Sequence, residues 1–397
     1  METNEYMPFA FAEAPKDKSK NIIKVIGVGG GGSNAVKNMY RQGVQDVSFA
    51  ICNTDSQALA NAEIPVKIQL GKAGLGVGGK PEKGKEAAEY SIDAIRNLFE
   101  DDTQMVFITC GMGGGTGTGA GPIIASAAKE KGILTVGVVT IPFAFEGRVR
   151  IGKALIGVEE MRKNVDALLV INNQRLCEIY ADGITKAEEA FAKADEIVTI
   201  AAKSISEIIT MEGIVSRDFC DVQTVMENGG DAIMSVGRAK GENRIEKARR
   251  LLYVIYSSDE HQVTISELSD INLFMEDLAT DIEVLWGLYR DNTLGEDVKV
   301  ILIATDFENN ENKTSSIDEL NNDDRHKRDM LIQAYYGDLR KQTPPKKEEV
   351  AVIQEEVIET PNSDSEPLEI EEKEVASKTT FLNRFMKKLE TLVEGVE

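Results

Sequence analysis

In the stretch Cys110-Gly111-Met112-Gly113-Gly114-Gly115-Thr116-Gly117-Thr118-Gly119-Ala120-Gly121, seven of twelve residues are glycine. Glycine loses more backbone entropy on folding than any other residue, so a turn that only redirects the chain does not need seven. The apolar run Met105 to Thr109 before it has strand length, and Pro122 after it is favoured at the first position of a helix. The spacing therefore predicts strand, glycine loop and helix, the helix running from Ile123 to Lys131. Successive backbone N–H groups and the positive end of a helix hold a phosphate in such an arrangement.

A second site of the same kind precedes it. Asn21 to Ile26 reads as a buried strand, Gly27-Val28-Gly29-Gly30-Gly31-Gly32-Ser33-Asn34 as a glycine loop, and Ala35 to Gln42 as a helix stopped by Gly43. Taken alone, Gly27 to Gly32 fits GxGxxG, and Asp55 falls roughly where a dinucleotide fold keeps its ribose-binding acid. A nicotinamide- or flavin-dependent oxidoreductase is therefore an alternative. Against it stand the second glycine loop, which has no role there, and the scarcity of proton donors: the histidines are His261 and His326, both late in the chain. A third cluster, Gly74 to Gly79, leads into Gly79 to Lys85, which fits GxxxxGK. Glu86 stands where Ser or Thr is required and no strand leads into it, so a P-loop is not assigned.

The elements that position these loops alternate between strand and helix. Further strands are read at Val47 to Cys52, Ile133 to Thr140 and Ala167 to Ile171, with a helix ending near Lys163. Near-continuous apolar strands in such an alternation define an α/β fold, a parallel sheet covered on both faces, over residues 21–184. Residues 185–212 carry Ala190, Ala194, Ile197, Val198, Ala201, Ile205, Ile208 and Ile209 at helical spacing, a long central helix joining two domains. Residues 213–307 read as a smaller α+β domain with strands at Ala232 to Val236, Leu251 to Tyr256 and Val298 to Ala304, and an amphipathic segment from Asp270 to Arg290. Residues 1–20 read as a flexible N-terminus and 308–379 as an acidic linker, disordered over Pro344 to Lys378. Residues 380–397 form an amphipathic segment with Phe381, Leu382, Phe385, Met386, Leu389, Leu392 and Val393 on one face.

The 397 residues carry a net charge of −22, the opposite of a basic nucleic-acid stripe, so no nucleic-acid partner is expected. Cys52, Cys110, Cys177 and Cys220 form no CxxC pair, which fits a reducing cytosol and neither a zinc site nor a disulfide framework. Met1 to Lys20 lacks the pattern of a secretory signal, and no apolar run is long enough to span a bilayer.

Gly113-Gly114-Gly115-Thr116-Gly117-Thr118-Gly119 resembles the signature of the tubulin/FtsZ GTPase family. Gly29 to Asn34, Asn53-Thr54-Asp55, Gly74 to Gly84 and Pro142 to Arg150 resemble that family's other nucleotide loops, in the same order. The likeness runs from about Ile22 to Phe307 and is dense through Gly241-Glu242-Asn243-Arg244. It implies a GTP-hydrolysing protein that polymerises head to tail and forms the cytokinetic ring at a bacterial division site, in the cytoplasm. By the same resemblance Gly30, Gly31, Gly32, Ser33 and Asn34, with Gly115, Thr116 and Gly117, would contact phosphates, and Glu146 and Arg150 the ribose and phosphates. Asn173 and Asp195 would contact guanine, with Phe191 stacking on the base. A carboxylate suits guanine because it accepts from both the ring N–H and the amino group. Asp218 and Asp221 would complete catalysis by orienting and polarising water, against the plainer reading of a helix cap and a first-turn acid. Mg²⁺ is implied with GTP, held by phosphate and water, with no dedicated protein ligand.

If Asp195 reads the base, the central helix carries the chain roughly 25 Å away before the two acids, which places them to serve the next copy in a heterologous, non-closing contact. Several positions depart from the family pattern. Ser216 replaces an Asn before the acidic pair, which implies a lost contact to the neighbouring nucleotide and slower turnover. In Ile171-Asn172-Asn173-Gln174-Arg175 the family commonly has Pro before and Asp after the key Asn. The segment between Ala248 and Ile265 is shorter than in the family, and Asp306 stands where Gly is usual. A slow GTP-binding paralogue that regulates or co-assembles with filaments is the alternative these changes support. The family's C-terminal peptide reaches membrane-tethering adaptors; here Arg384, Lys387 and Lys388 also suit direct contact with a membrane surface.

Overall fold

The computed structural model describes residues 21–175, 187–236, 248–269, 282–307 and 325–336. The expected N-terminal segment 1–20, Gly241 to Arg244 and the amphipathic segment 380–397 lie outside the described residues.

Seven strands pair in parallel: β1 (Ile23–Val28), β2 (Val47–Asn53), β3 (Val66–Gln69), β4 (Met105–Gly111), β5 (Leu134–Ile141), β6 (Ala167–Asn172) and β7 (Gly230–Val236), in the order β3-β2-β1-β4-β5-β6-β7. β1 is buried along its whole length and β4 along all but its last residue, as apolar runs between two helical layers must be. Then come β8 (Ala248–Ser257), β9 (Glu283–Arg290) and β10 (Lys299–Phe307). β10 runs antiparallel between β7 and β8, and β9 lies parallel to β8 at the edge. The strand order reverses between β1 and β4, whose carboxyl ends Val28 and Cys110 are register partners. Open α/β sheets bind ligands outside such a switch point.

The helices are α1 (Gly29–Arg41), α2 (Ser56–Ala60), α3 (Pro81–Tyr90), α4 (Ile92–Asn97), α5 (Thr116–Lys129), α6 (Arg148–Lys163), α7 (Ala187–Thr210), α8 (Phe219–Met226) and α9 (Arg325–Tyr336). α1, α7 and α8 bury their apolar residues on one face of the sheet, and α4, α5, α6 and α9 on the other. On α7, Val198, Ala201, Ala202, Ile205 and Ile208 share one cluster with Val136 and Leu169 and with Leu252, Val254, Ile301 and Ile303. The central helix thus anchors both parts of the sheet to a common core.

Three expectations need correction. Both glycine-rich helices begin earlier than propensity allows: α1 takes its first turn from Gly29 to Gly32, and α5 starts at Thr116, leaving Pro122 inside it. Packing overrides propensity here, because α3 crosses α5 so closely that a side chain on α5 would collide with its backbone. A methyl group on Gly84 of α3 would lie 2.3 Å from the Gly115 carbonyl oxygen. Within the expected amphipathic segment Asp270 to Arg290, the described part Glu283–Arg290 is strand β9, where Val284, Trp286 and Tyr289 pair along β8. Finally, α9 lies within the stretch read as linker and packs on α6, with Ile332 and Tyr336 buried.

The discounted P-loop register is accounted for by the fold, since Gly84 and Lys85 sit inside α3 and β3 ends well before it. Gly84→Ala is expected to destabilise the protein by about 1–3 kcal/mol through overpacking of α3 on α5, read as a lowered urea midpoint with unchanged slope.

Candidate functional site

The two glycine-rich helix starts meet at the switch point. Gly29 has a φ of +71°, and a methyl group there would lie 2.9 Å from the Gly117 backbone nitrogen, so only glycine fits. Gly31 faces Gly111 across the same gap. Neither α1 nor α5 has a side-chain cap, so the first-turn N–H groups of both helices are left for another partner. Gly30, Gly31 and Asn34 are exposed there, and Ser33 is buried with its Oγ unpartnered. Thr116 shares a 2.7 Å hydrogen bond with Thr54, and the Gly113 N–H donates to Thr118 Oγ1 at 2.9 Å. These threonines fix the loop that presents Gly115, Thr116 and Gly117.

The next wall comes from the turn after β5. Glu146 Oε1 accepts from the Phe143 N–H at 2.9 Å, and its Oε2 pairs with Arg150 at 2.9 Å. Arg150 in turn lies against Gly113. Phe143 stacks on Phe145 (5.0 Å, 12°) and meets Phe191 of α7 edge-on (4.8 Å, 80°). Phe191 stays exposed, an aromatic edge over the site. After β6, Asn173 is buried with its Oδ1 unpartnered, while its neighbours are engaged: Asn172 Oδ1 accepts from the Gln174 N–H, and Gln174 Oε1 from the Ala144 N–H. Buried polar atoms are rarely left without a partner; among the described residues Ser33 Oγ, Asn173 Oδ1 and, in the core on β8, Tyr256 Oη are without one.

Asp195 follows Phe191 by one turn of α7. Burial raises its carboxyl from 3.8 to about 6, and no described residue bonds it. Such a carboxylate is costly without a donor pair and suited to one. Asp55, the acid a dinucleotide site would aim at ribose, instead caps α2 by accepting from the Gln57 and Ala58 N–H groups. The contacts above connect Gly115 to Gly117 with Glu146, Arg150 and Phe191, and place Asn173 beside that wall.

The other two predicted residues are not among them. Asp218 and Asp221 lie beyond the far end of α7, about 22 Å along its axis from Asp195 to Thr210. They form a reciprocal capping box at the start of α8: Asp218 Oδ1 accepts from the Asp221 N–H at 3.0 Å, and Asp221 Oδ2 from the Asp218 N–H at 3.1 Å. Each keeps a second carboxylate oxygen, and Arg217 stands 3.5 Å from Asp221. The plain capping role is therefore real and leaves both acids facing outward. The preceding loop is held by Tyr289, whose buried hydroxyl donates to the Ile208 carbonyl at the end of α7 and accepts from the Arg217 N–H at 2.7 Å. The Ser216 hydroxyl is spent locally on the N–H and carbonyl of Gly213.

Sequence reasoning placed Thr54 and Phe143 in nucleotide loops without individual roles and missed Tyr289. The adjacency of Asn53-Thr54-Asp55 to a strand end was the signal for the first; the contacts of the other two arise only on folding.

A model of the Tubulin/FtsZ family GTPase domain matches residues 22–181. The cell division protein FtsZ of Porphyromonas gingivalis (strain ATCC BAA-308 / W83) is 50% identical over 309 residues, covering 72% of this chain and 67% of its own. That of Aquifex aeolicus (strain VF5) is 40% identical over 310 residues, 72% of this chain and 83% of its own. Among solved structures, an empty FtsZ dimer from M. jannaschii aligns with a TM-score of 0.65 at 34% identity, covering 73% of this chain and 89% of that one. The fold and its switch-point loops are those of a tubulin-like α/β protein with a GTPase domain. The chain belongs to the FtsZ family of cell division proteins. No helix among the described residues is long and apolar enough to cross a membrane.

The raised Asp195 carboxyl carries a pH signature. Its folded value exceeds 3.8, so the native state binds more protons than the unfolded one between pH 3.8 and about 6, and stability of the ligand-free protein falls as pH rises through that window. Asp195→Asn is expected to flatten that decline and to raise the urea midpoint at pH 7.5; an unchanged pH profile contradicts it.

Proposed function

We propose that this protein binds GTP at the switch point and hydrolyses it where copies stack head to tail. The observation that carries the reading is the pairing of two uncapped glycine helix starts with the unpartnered Ser33 Oγ and Asn173 Oδ1 beside them. Gly30 to Asn34 and Gly115 to Gly117 receive the phosphates on backbone N–H groups. Glu146 and Arg150 hold the ribose and phosphate edge, Phe191 covers the base, and Asn173 and Asp195 read guanine. Ionised Asp195 accepts from the ring N–H and the amino group, a pattern adenine does not offer.

Asp218 and Asp221 act on the nucleotide of the next copy. Their free oxygens orient and polarise the attacking water, while the capping box fixes their spacing. Arg217 beside Asp221 holds that carboxylate in place. Mg²⁺, if bound, would be held by the triphosphate and water and would supply charge neutralisation there. Among the described residues no cluster of three His, Cys, Asp or Glu side chains is arranged to hold a metal.

Because the site needs a second copy, hydrolysis is coupled to assembly, and the heterologous contact yields a filament. The filament forms the cytokinetic ring in the cytoplasm at the division site. Residues 380–397 tether it, through a division adaptor or by lying on the membrane surface. A slower, regulatory member of the family is the second reading, favoured by the Ser216 hydroxyl that turns inward to Gly213.

GTP, and not GDP, is expected to make the protein pellet, with phosphate release per molecule rising above a threshold concentration. Release strictly proportional to concentration without polymer would sink the shared site. Asp221→Ala should lower turnover about 100-fold while GTP still drives pelleting, and Ser216→Asn should raise turnover if the slow reading holds.

A further inference from the structure

Helix α9 carries polar contacts that its packing does not require. Ile332 and Tyr336 bury against the α6 side of the core, which is enough to dock an amphipathic helix. Yet its last two residues also reach two backbone and side-chain groups at the base end of the site. The Tyr336 hydroxyl donates to the Pro142 carbonyl at 2.5 Å in a buried bond. The Tyr335 carbonyl accepts from Asn172 Nδ2 at 2.8 Å. Arg162 on α6 adds a third link to the Tyr335 hydroxyl at 3.4 Å.

These contacts fall on the turns that frame the guanine pocket. The peptide unit Pro142–Phe143 is held at both ends, its carbonyl by Tyr336 and its N–H by Glu146. Phe143 then meets Phe191 edge-on, and Glu146 pairs with Arg150, so one peptide plane sets an aromatic wall and an ion pair together. Asn172 is clamped between Tyr335 and the Gln174 N–H, and Asn173, with its unpartnered Oδ1, sits between those two residues in the chain. Proline, the residue common before the key Asn in the family pattern, has no side-chain donor for such a bond. Asn172 and the tyrosine pair therefore belong to one device. Burial and the Glu146 charge both push the Tyr336 phenol up, so it is a donor at neutral pH.

We propose that Tyr335 and Tyr336 are positioning residues for guanine recognition: α9, which follows the second part of the sheet, returns to the nucleotide-binding part and holds the Pro142–Phe143 and Asn172–Asn173 turns in the geometry that reads the base. The proposal rests on the assignment of guanine to Asn173 and Asp195. The bonds named above reach the turns after β5 and β6, and because the same peptide also sets the Glu146–Arg150 pair, the base contribution is isolated by comparing nucleotides that share ribose and phosphates.

The test measures dissociation constants of GDP, IDP and ADP on the full-length protein. IDP lacks the 2-amino group, so the GDP-to-IDP ratio reports the base contacts and not the phosphates. Tyr336→Phe keeps the ring and removes the hydroxyl. It is expected to weaken GDP about five-fold, the worth of one such hydrogen bond, and to leave IDP within about two-fold, so that the ratio collapses. Ile332→Ala, which loosens the docking, should shift the ratio the same way, and Met330→Ala, on an exposed position of α9, should leave it at the wild-type value. An unchanged ratio in both Tyr336→Phe and Ile332→Ala overturns the proposal. So does equal weakening of GDP and IDP in step with a lowered urea midpoint, which marks α9 as support only. Wild-type protein that binds ADP as tightly as GDP overturns the guanine assignment itself, a result distinguishable before any variant is made.

Discussion

The architecture depends on how closely two helix starts approach each other across the carboxyl ends of β1 and β4. Gly29 and Gly117 stand where a single methyl group would collide with backbone, and α3 presses on Gly115 from the other side with Gly84. That three-way contact brings two sets of unpaired N–H groups to one point without a basic residue between them. Two helix dipoles then supply the positive potential, which a chain of net charge −22 provides in few other places. The glycines weaken their own helices, and the deficit is offset by the buried sheet and by α3, whose Pro81 is well placed at a helix start.

In the proposed function, recognition and reaction are kept apart around this point. The base end is built from turns after β5 and β6 and from one face of α7. The acids stand past the other end of that helix, held by Tyr289 between the Ile208 carbonyl and the Arg217 N–H. α7 is therefore a ruler whose two ends serve two different copies in the proposed assembly, and its buried face ties the ruler to both parts of the sheet.

Much of this was legible in the residues. Parallel strands announce themselves as short apolar runs between glycine loops, and the density of glycine at residues 111–121 marks the place where α3, α5 and the strand ends approach most closely. The starts of α1 and α5 were not legible, because propensity penalises the small residues that close packing demands. β9 was hidden by an apolar spacing that both a helix and a strand can satisfy. In α9 only Leu331, Ile332, Tyr335 and Tyr336 signal burial, inside a stretch whose charge reads as linker. The orphaned atoms of Ser33 and Asn173 and the burial of Asp195 are consequences of tertiary packing that no local pattern encodes. Asp306 is an intermediate case. The family's glycine there is explained by a φ of +55°, and the aspartate that replaces it accepts the strain while pairing with Arg250, which also caps the carbonyls of Thr224 and Glu227 at the end of α8.

The loop that carries Ser216 has one more effect. Val215 bridges to Leu288 in antiparallel fashion, with N–H and carbonyl groups exchanged, so the chain itself pairs with β9 at that point of its free side. At the opposite margin β3 offers four residues only, with Lys67 exposed among them. Of the two margins of the sheet, one strand is thus partly paired and the other is only four residues long, which disfavours amyloid-like strand addition. In the proposed head-to-tail assembly, that protection keeps strand addition at the margins from competing with the contact between copies.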